Sequence, residues 1–496
     1  MNTSDLIQTR HVQRSLRALA CLGAALVGAC TMPTAPPRSL NLQAPTEWQA
    51  PLPHQGNLVN LSQWWQQQGD ALLVELIEAA QAVSPSLATA RSNIEQARLT
   101  RTRSAAALLP ALGANASASR SRSAPAGPAP AVPANVLQAG LQASWELDLF
   151  GESRATRDAA QERLAGARAQ WHEARVSVAA EVARQYYSVR SCQKQVLVSQ
   201  SDAQSRFETS RLTALATKAG FEAPAVAALA RASAAESNAR ATQQRALCDI
   251  DIKALVALSA LSETTLRQKL AQNPVGAADP ASGMALVASV PADVLAQRPD
   301  VYNAARELAA ASLEVGSANA QRYPSLSLAG AITAGNIRSG GASSGFDTWS
   351  IGPLALTVPL FDGGTRLANV EAAKARYTEA ASKYQSTARQ AVREVEEALV
   401  NLQSTADRTG YAGRAAEGYS ASFAGTEARY KAGLASLVEL EDARRTLLAA
   451  QSAVVSLELQ RRYAWVALYR ALGGGWTVSA PDAPATPDPD QRVVVR

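Results

Sequence analysis

Leu137-Gln138-Ala139-Gly140-Leu141-Gln142-Ala143-Ser144-Trp145-Glu146-Leu147-Asp148-Leu149 places every apolar side chain on one parity and every polar one or glycine on the other. Successive side chains of a strand point to opposite faces, so this stretch reads as a strand with one apolar and one polar surface. The alternation, taken from residue 135 to 149, is long enough for a tilted membrane-spanning strand. Residues 111–123 upstream are small and polar with a weaker alternation, and Pro125 to Pro133 supplies a turn between the two. The pair therefore reads as a hairpin.

Long helical runs flank that hairpin. Residues 86–108 have helix propensity and stop at Pro110. From about 152 to 216 no proline intervenes, which allows a rod of roughly 100 Å at about 1.5 Å per residue. Val178, Val182, Val189 and Val196 on this run fit a heptad seam, as do Val392, Val395, Leu399 and Leu402, and Ala443, Leu447, Ala450, Val454 and Leu457 further on.

The same arrangement occurs twice. Phe150 and Phe361 are 211 residues apart, Lys218 and Lys431 213, and Pro85/Pro299, Pro110/Pro324 and Leu258/Leu472 each 214. An offset this constant signals an internal duplication in which each copy is a structural half. The second strand pair is expected at about 325–335 and 348–360, around a Gly/Ser-rich loop at 339–345. Helices are expected at about 152–216 and 225–260 in the first copy, and at about 365–430 and 435–472 in the second.

The N-terminus reads as an export signal over residues 1–29, with Arg10, Arg14 and Arg17 before the apolar run Leu16 to Leu26. Leu26-Val27-Gly28-Ala29-Cys30 resembles a bacterial lipobox, which would make Cys30 the acylated first residue of the mature chain; an ordinary secretory signal with an incidental cysteine is the alternative. Thr31 rather than Asp follows, in keeping with outer-membrane sorting. Residues 30–60 read as a lipidated tether rich in Pro, Gln and Asn.

The whole chain carries +6; the export segment holds three Arg and one Asp, so the chain from Cys30 onward keeps about +4. No basic stripe interleaves with aromatics, which excludes a nucleic-acid signature. Beyond Cys30 no apolar run reaches the length of a membrane helix, so any spanning segment must be a strand. Four strands cannot close a lipid-facing barrel, and an open edge in hydrocarbon leaves backbone groups unpaired, so the chain is expected to oligomerise. His11, His54 and His172 are scattered, and no catalytic, metal or cofactor constellation is visible. A soluble coiled-coil lipoprotein spacing the outer membrane and the cell wall is the competing reading.

The chain resembles the TolC-like outer-membrane efflux proteins, in their lipoprotein or NodT-type branch. The resemblance rests on the Cys30 lipobox, on Val290-Pro291-Ala292-Asp293-Val294-Leu295-Ala296-Gln297-Arg298-Pro299-Asp300-Val301 and on Pro359-Leu360-Phe361-Asp362-Gly363-Gly364. It rests further on Arg429-Tyr430-Lys431-Ala432-Gly433 and on Ala471-Leu472-Gly473-Gly474-Gly475-Trp476. It implies a mainly α fold with a membrane β-barrel: a homotrimer whose twelve-stranded barrel is continued by a twelve-helix periplasmic barrel. The domains would be repeats over 61–270 and 291–476, a linker at 271–290 and a disordered tail at 477–496. It also implies the exit duct of a tripartite pump, working with a periplasmic adaptor and an inner-membrane transporter and needing no cofactor. The family's aperture motif maps onto Tyr430, Glu439 and Asp442, with Ala435 where some relatives carry a basic partner. Three copies would ring the aperture with six carboxylates, favouring cation block; ordinary solvated helix acids are the alternative.

Cys192 and Cys248 each lie 28 residues from Gly220, at the centre of the first hairpin turn. Antiparallel helices of equal rise bring such residues to one height, which favours a disulfide in an oxidising compartment; two free buried thiols are the alternative.

Overall fold

The computed structural model describes residues 35–40, 49–50, 64–67, 69–122, 132–273, 295 and 298–476. The export signal, Cys30, most of the tether, most of the linker and the tail after Trp476 lie outside the described residues. The chain divides into two units, one comprising residues 1–39, 101–160 and 309–379, the other 40–100, 161–308 and 380–496.

The first unit contains one antiparallel sheet in the order β1-β2-β3-β4, formed by β1 (Ala111–Arg122), β2 (Pro133–Leu147), β3 (Ser325–Ser339) and β4 (Ala342–Thr357). The two hairpins of the duplicated halves thus join through β2 and β3, with Leu141 opposite Ile332 and Trp145 opposite Leu328. Register carries the parity of β2 across the sheet: Ala114 faces Leu141, and Ile332 faces Trp349. One surface therefore collects Leu112, Leu137, Leu141, Ile332, Trp349 and Ile351. Trp349 and Ile351 stay 75% and 82% exposed, so among the described residues nothing covers this apolar surface. Gln138, Gln142, Thr333 and Ser350 share the opposite, polar surface.

The second hairpin departs from expectation. Its strands extend through the Gly/Ser-rich stretch expected to be a loop, because Gly340 and Gly341, at φ +60° and +88°, make a two-residue turn. Two consecutive positive φ values suit the tight hairpin turn whose twist matches the strands, and glycine adopts them without steric cost. A bulge on β4 lies between the pairs Leu328/Leu354 and Gly330/Ile351. The extra residue switches parity at Gly352-Pro353, which keeps Leu354 and Leu356 on the same apolar face as Ile351.

Each hairpin feeds a 67-residue helix: Glu152–Lys218 after β2 and Thr365–Lys431 after β4. An aspartate organises both starts. Asp362 accepts from the backbone N–H of Gly364 and Arg366, at 3.0 and 3.1 Å, and from the Arg366 guanidinium at 3.0 Å. Asp148 accepts from the Ser153 and Arg154 N–H groups and from Arg154 Nε. These bonds satisfy donors that a helix start leaves unpaired, and those from the Arg366 backbone foremost hold the Asp362 carboxyl below its ordinary pKa. The Leu-Phe-Asp-Gly-Gly stretch is thus a helix-start device.

Among the described residues the α-helices are α1 (Trp64–Gln67), α2 (Ala71–Val83), α3 (Pro85–Ala106), α4 (Glu152–Lys218), α5 (Pro224–Ser259), α6 (Glu263–Gln272), α7 (Pro299–Ala320), α8 (Thr365–Lys431) and α9 (Leu437–Ala471). Among the described residues no single helix is long and apolar enough to cross a membrane.

In the second unit the main core gathers Trp64, Leu73 and Leu76 with Val182, Tyr186 and Val189 of α4, Leu255 of α5, Leu399 of α8 and Leu468 of α9. Tyr186 donates to Asp70 at 2.6 Å, and Asp70 also caps α2 through the Leu73 N–H. Arg298, buried, binds Asp300 at 2.6 Å, Glu394 at 2.8 Å and the Ala471 carbonyl at 2.9 Å. The Arg-Pro-Asp motif therefore ties the start of α7 to α8 and to the end of α9.

Candidate gate and channel wall

The hairpin turns α4–α5 and α8–α9 are built alike. After α4, Gly220 takes φ +81° and the Phe221 N–H returns to the Ala216 carbonyl at 2.9 Å; after α8, Gly433 takes φ +73° and the Leu434 N–H returns to Arg429 at 2.8 Å. This is the left-handed helix stop that favours glycine, and it satisfies the last carbonyls of each helix. Pro224 then opens α5, while Ser436 caps α9 by accepting from the Glu439 N–H at 3.2 Å.

Of the residues assigned to the aperture, Tyr430 is turned into the chain. Its hydroxyl lies 2.9 Å from Thr213 Oγ1, and its ring packs beside Ala230, Leu437 and Leu440. Glu439 and Asp442 share an exposed face of α9, where Asp442 is ion-paired with Arg445 one turn on. The structure does not bring Tyr430 into a hydrogen bond with either acid. Tyr430 joins the two hairpins, whereas the two carboxylates face outward.

The most developed polar site near the turns is one that sequence reasoning missed. Asp202 and Arg206 of α4, Ser233 of α5, and Glu441 and Arg444 of α9 form a connected network. Arg206 Nε donates to both Asp202 carboxylate oxygens at 3.0 Å, and Arg206 Nη1 binds Ser233 Oγ at 2.6 Å and Glu441 Oε2. Ser233 donates to Glu441 at 2.8 Å, while Arg444 binds Glu441 Oε1 at 2.5 Å and Thr209 Oγ1 at 3.0 Å. Arg444 is 3% exposed and lies over the Phe423 ring at 5.4 Å, so α8 also touches the network. Burial, opposed by Glu441 and reinforced by Arg206, holds the Arg444 guanidinium below its ordinary pKa. The buried arginines Arg206 and Arg444 balance Asp202 and Glu441, and at the exposed edge Arg240 reaches Asp202 at 3.8 Å while paired with Glu236, so the network is neutral, as buried charge requires.

A signal for it existed. Arg206 lies 14 residues before Gly220 and Ser233 13 after it, the equal-height relation that relates Cys192 to Cys248. Those two cysteines are joined in a disulfide, with Cα atoms 5.5 Å apart.

Among the described residues no group of three or more His, Cys, Asp or Glu side chains could hold a metal. What the arrangement offers is a sheet with one lipid-compatible face and one wet face, and a pair of helical hairpins fastened to each other near their turns.

Comparison with known proteins agrees with that description. The outer membrane efflux protein family matches residues 76–262 and 290–474, one stretch in each half. Outer membrane protein OprJ of Pseudomonas aeruginosa is 31% identical over 470 residues, covering 92% of this chain and 95% of OprJ. Nodulation protein T of Rhizobium leguminosarum bv. viciae is 30% identical over 343 residues, 69% of this chain and 70% of that protein. The solved structure of the outer-membrane channel OprN superposes with a TM-score of 0.80 at 28% identity, covering 90% of this chain and all of OprN. With its duplicated halves, its two-faced sheet and a family match over more than half its length, the chain belongs to the outer membrane efflux protein family and is an outer-membrane efflux channel with a large periplasmic part.

Proposed function

We propose that three copies of the chain close their four-stranded sheets into a twelve-stranded barrel, and their long helices into a twelve-helix periplasmic tube. Through this duct cargo passes unaltered from a periplasmic adaptor and an inner-membrane transporter to the outside. The observation that carries this reading is the sheet: its uncovered face is apolar, and β1 and β4 are each paired on one side only. Unpaired edges are intolerable in hydrocarbon, and closure through neighbouring copies satisfies them. In the same reading Cys30 is acylated and anchors the N-terminus, the Cys192–Cys248 disulfide forms in the periplasm, and the chain performs no chemistry on its cargo.

Glu439 and Asp442 of each copy line the aperture at the α8–α9 turn. Their exposure on one face of α9 supports this placement, while Tyr430 and the Arg206–Glu441–Arg444 network set the position of that face. A ring of carboxylates concentrates cations.

Conductance across planar bilayers tests the proposal, comparing wild type with the Glu439→Gln/Asp442→Asn variant under titration of a trivalent cation. Low-conductance pores blocked by the cation, with block weakened in the variant, are expected. Block indifferent to the substitutions discards the aperture assignment and keeps the duct. Absence of pores from folded protein overturns the duct and favours the spacer lipoprotein.

A further inference from the structure

The chain leaves the sheet for its helices at one end only, where β1 and β3 begin and β2 and β4 finish. With the large part of the chain periplasmic, the opposite end, carrying the β1–β2 connection and the Gly340-Gly341 turn, is the outer one.

At that outer end two arginines stand in one row on the apolar-side parity. Register aligns Arg120 of β1 with Asn135 of β2, Asn135 with Arg338 of β3, and Arg338 with Ser343 of β4. Arg120 and Arg338 thus lie in one cross-strand row, about 10 Å apart at two strand spacings. Arg120 and Arg338 are both exposed. Among the described residues the carboxylate nearest to this row on the same face is Asp347, opposite Ala334 and four residues along the strand from Arg338. That separation, about 13 Å, exceeds the screening length of physiological salt. Residues 123–131 of the connection add no charge.

Below the arginine row the same face is hollowed. Ala114, Ala116, Ala139 and Ala334 leave a shallow trough of about 560 Å³, bounded by Leu141 and Ile332. Elsewhere this face carries bulky side chains such as Trp349 and Leu354. A cationic row above an apolar trough matches an amphiphile with anionic head groups and hydrocarbon tails. Arginine is suited to the head group, because its planar donors bind phosphate oxygens in pairs.

We propose that this outward surface, Arg120 and Arg338 above the alanine trough, is a docking site for a phosphorylated, multiply acylated glycolipid of the outer leaflet, whose phosphates meet the two arginines while an acyl chain lies in the trough. The proposal rests on the reading of the sheet as a membrane wall.

The test uses the purified full-length chain reconstituted into phosphatidylcholine vesicles containing lipid A, either bis-phosphorylated or dephosphorylated. Insertion is measured first, by flotation with the vesicles and by protection from protease. Bound lipid A is then counted by native mass spectrometry. Wild type is expected to retain the bis-phosphorylated form over the dephosphorylated one by about tenfold or more, since each arginine near an anionic head group contributes appreciably. Arg120→Gln/Arg338→Gln is expected to lose that preference, Arg120→Lys/Arg338→Lys to keep most of it, and Arg101→Gln/Arg103→Gln, at the other end of the sheet, to leave it unchanged. Equal retention of both lipids by inserted wild type overturns the docking site and leaves the membrane wall standing, as does an unaltered preference in the Gln variant. If the Gln variant fails to insert, loss of the wild-type preference in high salt decides between the outcomes. Failure of the wild type itself to insert overturns both readings.

Discussion

Replacing Glu441 with alanine is the sharpest test of how the two hairpins are fastened. The carboxylate receives Arg206, Arg444 and Ser233, so its removal leaves two buried guanidinium groups with reduced compensation. Arg206 keeps both oxygens of Asp202, but Arg444 retains a hydrogen bond to Thr209, the Phe423 face and the more distant charges of Asp202 and Glu427. Stripping one partner from a buried ion pair costs about 3–5 kcal/mol. The network joins α9 to α4 and α5, so that loss should fall on local opening of the turn-proximal part of α9. At about 1.4 kcal/mol per factor of ten, amide exchange over residues 437–450 is expected to accelerate by roughly 10²-fold to several times 10³-fold. Hydrogen exchange read by mass spectrometry on the detergent-solubilised protein resolves this, with peptides from the sheet as an internal control. The double variant Glu441→Leu/Arg444→Met removes a balanced pair and leaves Arg206–Asp202 intact, so most of the protection should return. An acceleration below about threefold in Glu441→Ala would refute the reasoning, because the charges would then be hydrated in the native state.

Three further outcomes are expected. Ile332→Arg, on the apolar face, should impair insertion by about 2–4 kcal/mol while Thr333→Arg, on the polar face, is tolerated; heat-modifiability and folding yield in vesicles compare them. Cys192→Ser/Cys248→Ser should lose up to about 4 kcal/mol of stability, the loop-closure value for a separation of 56 residues, seen as a lowered denaturant midpoint of the helical unit. Glu173 has its pKa raised above the ordinary 4.5, by burial first and then by Asp300, against the pull of Arg298 and Arg470. The folded chain therefore holds this proton more tightly than the unfolded one, so stability falls as pH rises from about 4.5 through the raised value. Glu173→Gln should flatten that decline and leave the variant more stable than wild type at neutral pH, as denaturant titrations at pH 4 and pH 7 will show.

Legibility in the sequence followed the strength of the physical constraint on each segment. β2 was readable because every second side chain must suit hydrocarbon, and Leu137, Leu141 and Trp145 do. β4 was less readable, because the bulge at Gly352-Pro353 changes parity midway and Thr348 to Leu360 does not alternate cleanly. The outer ends of β3 and β4 looked like a loop: once the strands pass the apolar band, Asn336, Arg338 and Ser343 carry no hydrophobic signal, and only the hairpin hydrogen bonds hold them extended. The cysteine pairing was visible in the equal heights about Gly220. Glu441 and Arg444 escaped notice because opposite charges three residues apart usually mark a solvated helix face. The same spacing measured across three helices shows them to be buried. The inter-helix contact of Tyr430 was not readable, since nothing local to α8 reveals its Thr213 partner on α4.

The two halves share a fold and differ in how their hairpins are fastened. At the height of the Cys192–Cys248 disulfide, a shift of 213 places Thr405 in the second copy. That threonine is buried, yet its hydroxyl is satisfied by the Asn401 and Leu402 carbonyls of its own helix, at 2.8 and 3.0 Å. It therefore bonds within its own helix, and among the described residues α8 meets α9 at this height without a covalent link, Arg408 donating to Gln460 at 3.2 Å. The α9 arm is held to α4 of the first hairpin by Gln195–Ser452 at 2.8 Å, Lys194–Glu458 at 2.5 Å and the Arg206–Glu441 pair. A covalent link persists at any ionic strength and opens only to a reductant. Ion pairs respond in the opposite way: exposed ones such as Lys194–Glu458 weaken in salt, and the buried network resists it. Duplication thus supplied two similar hairpins, and substitution at a few inward positions gave the first an internal covalent brace while leaving α9 to depend on its neighbours.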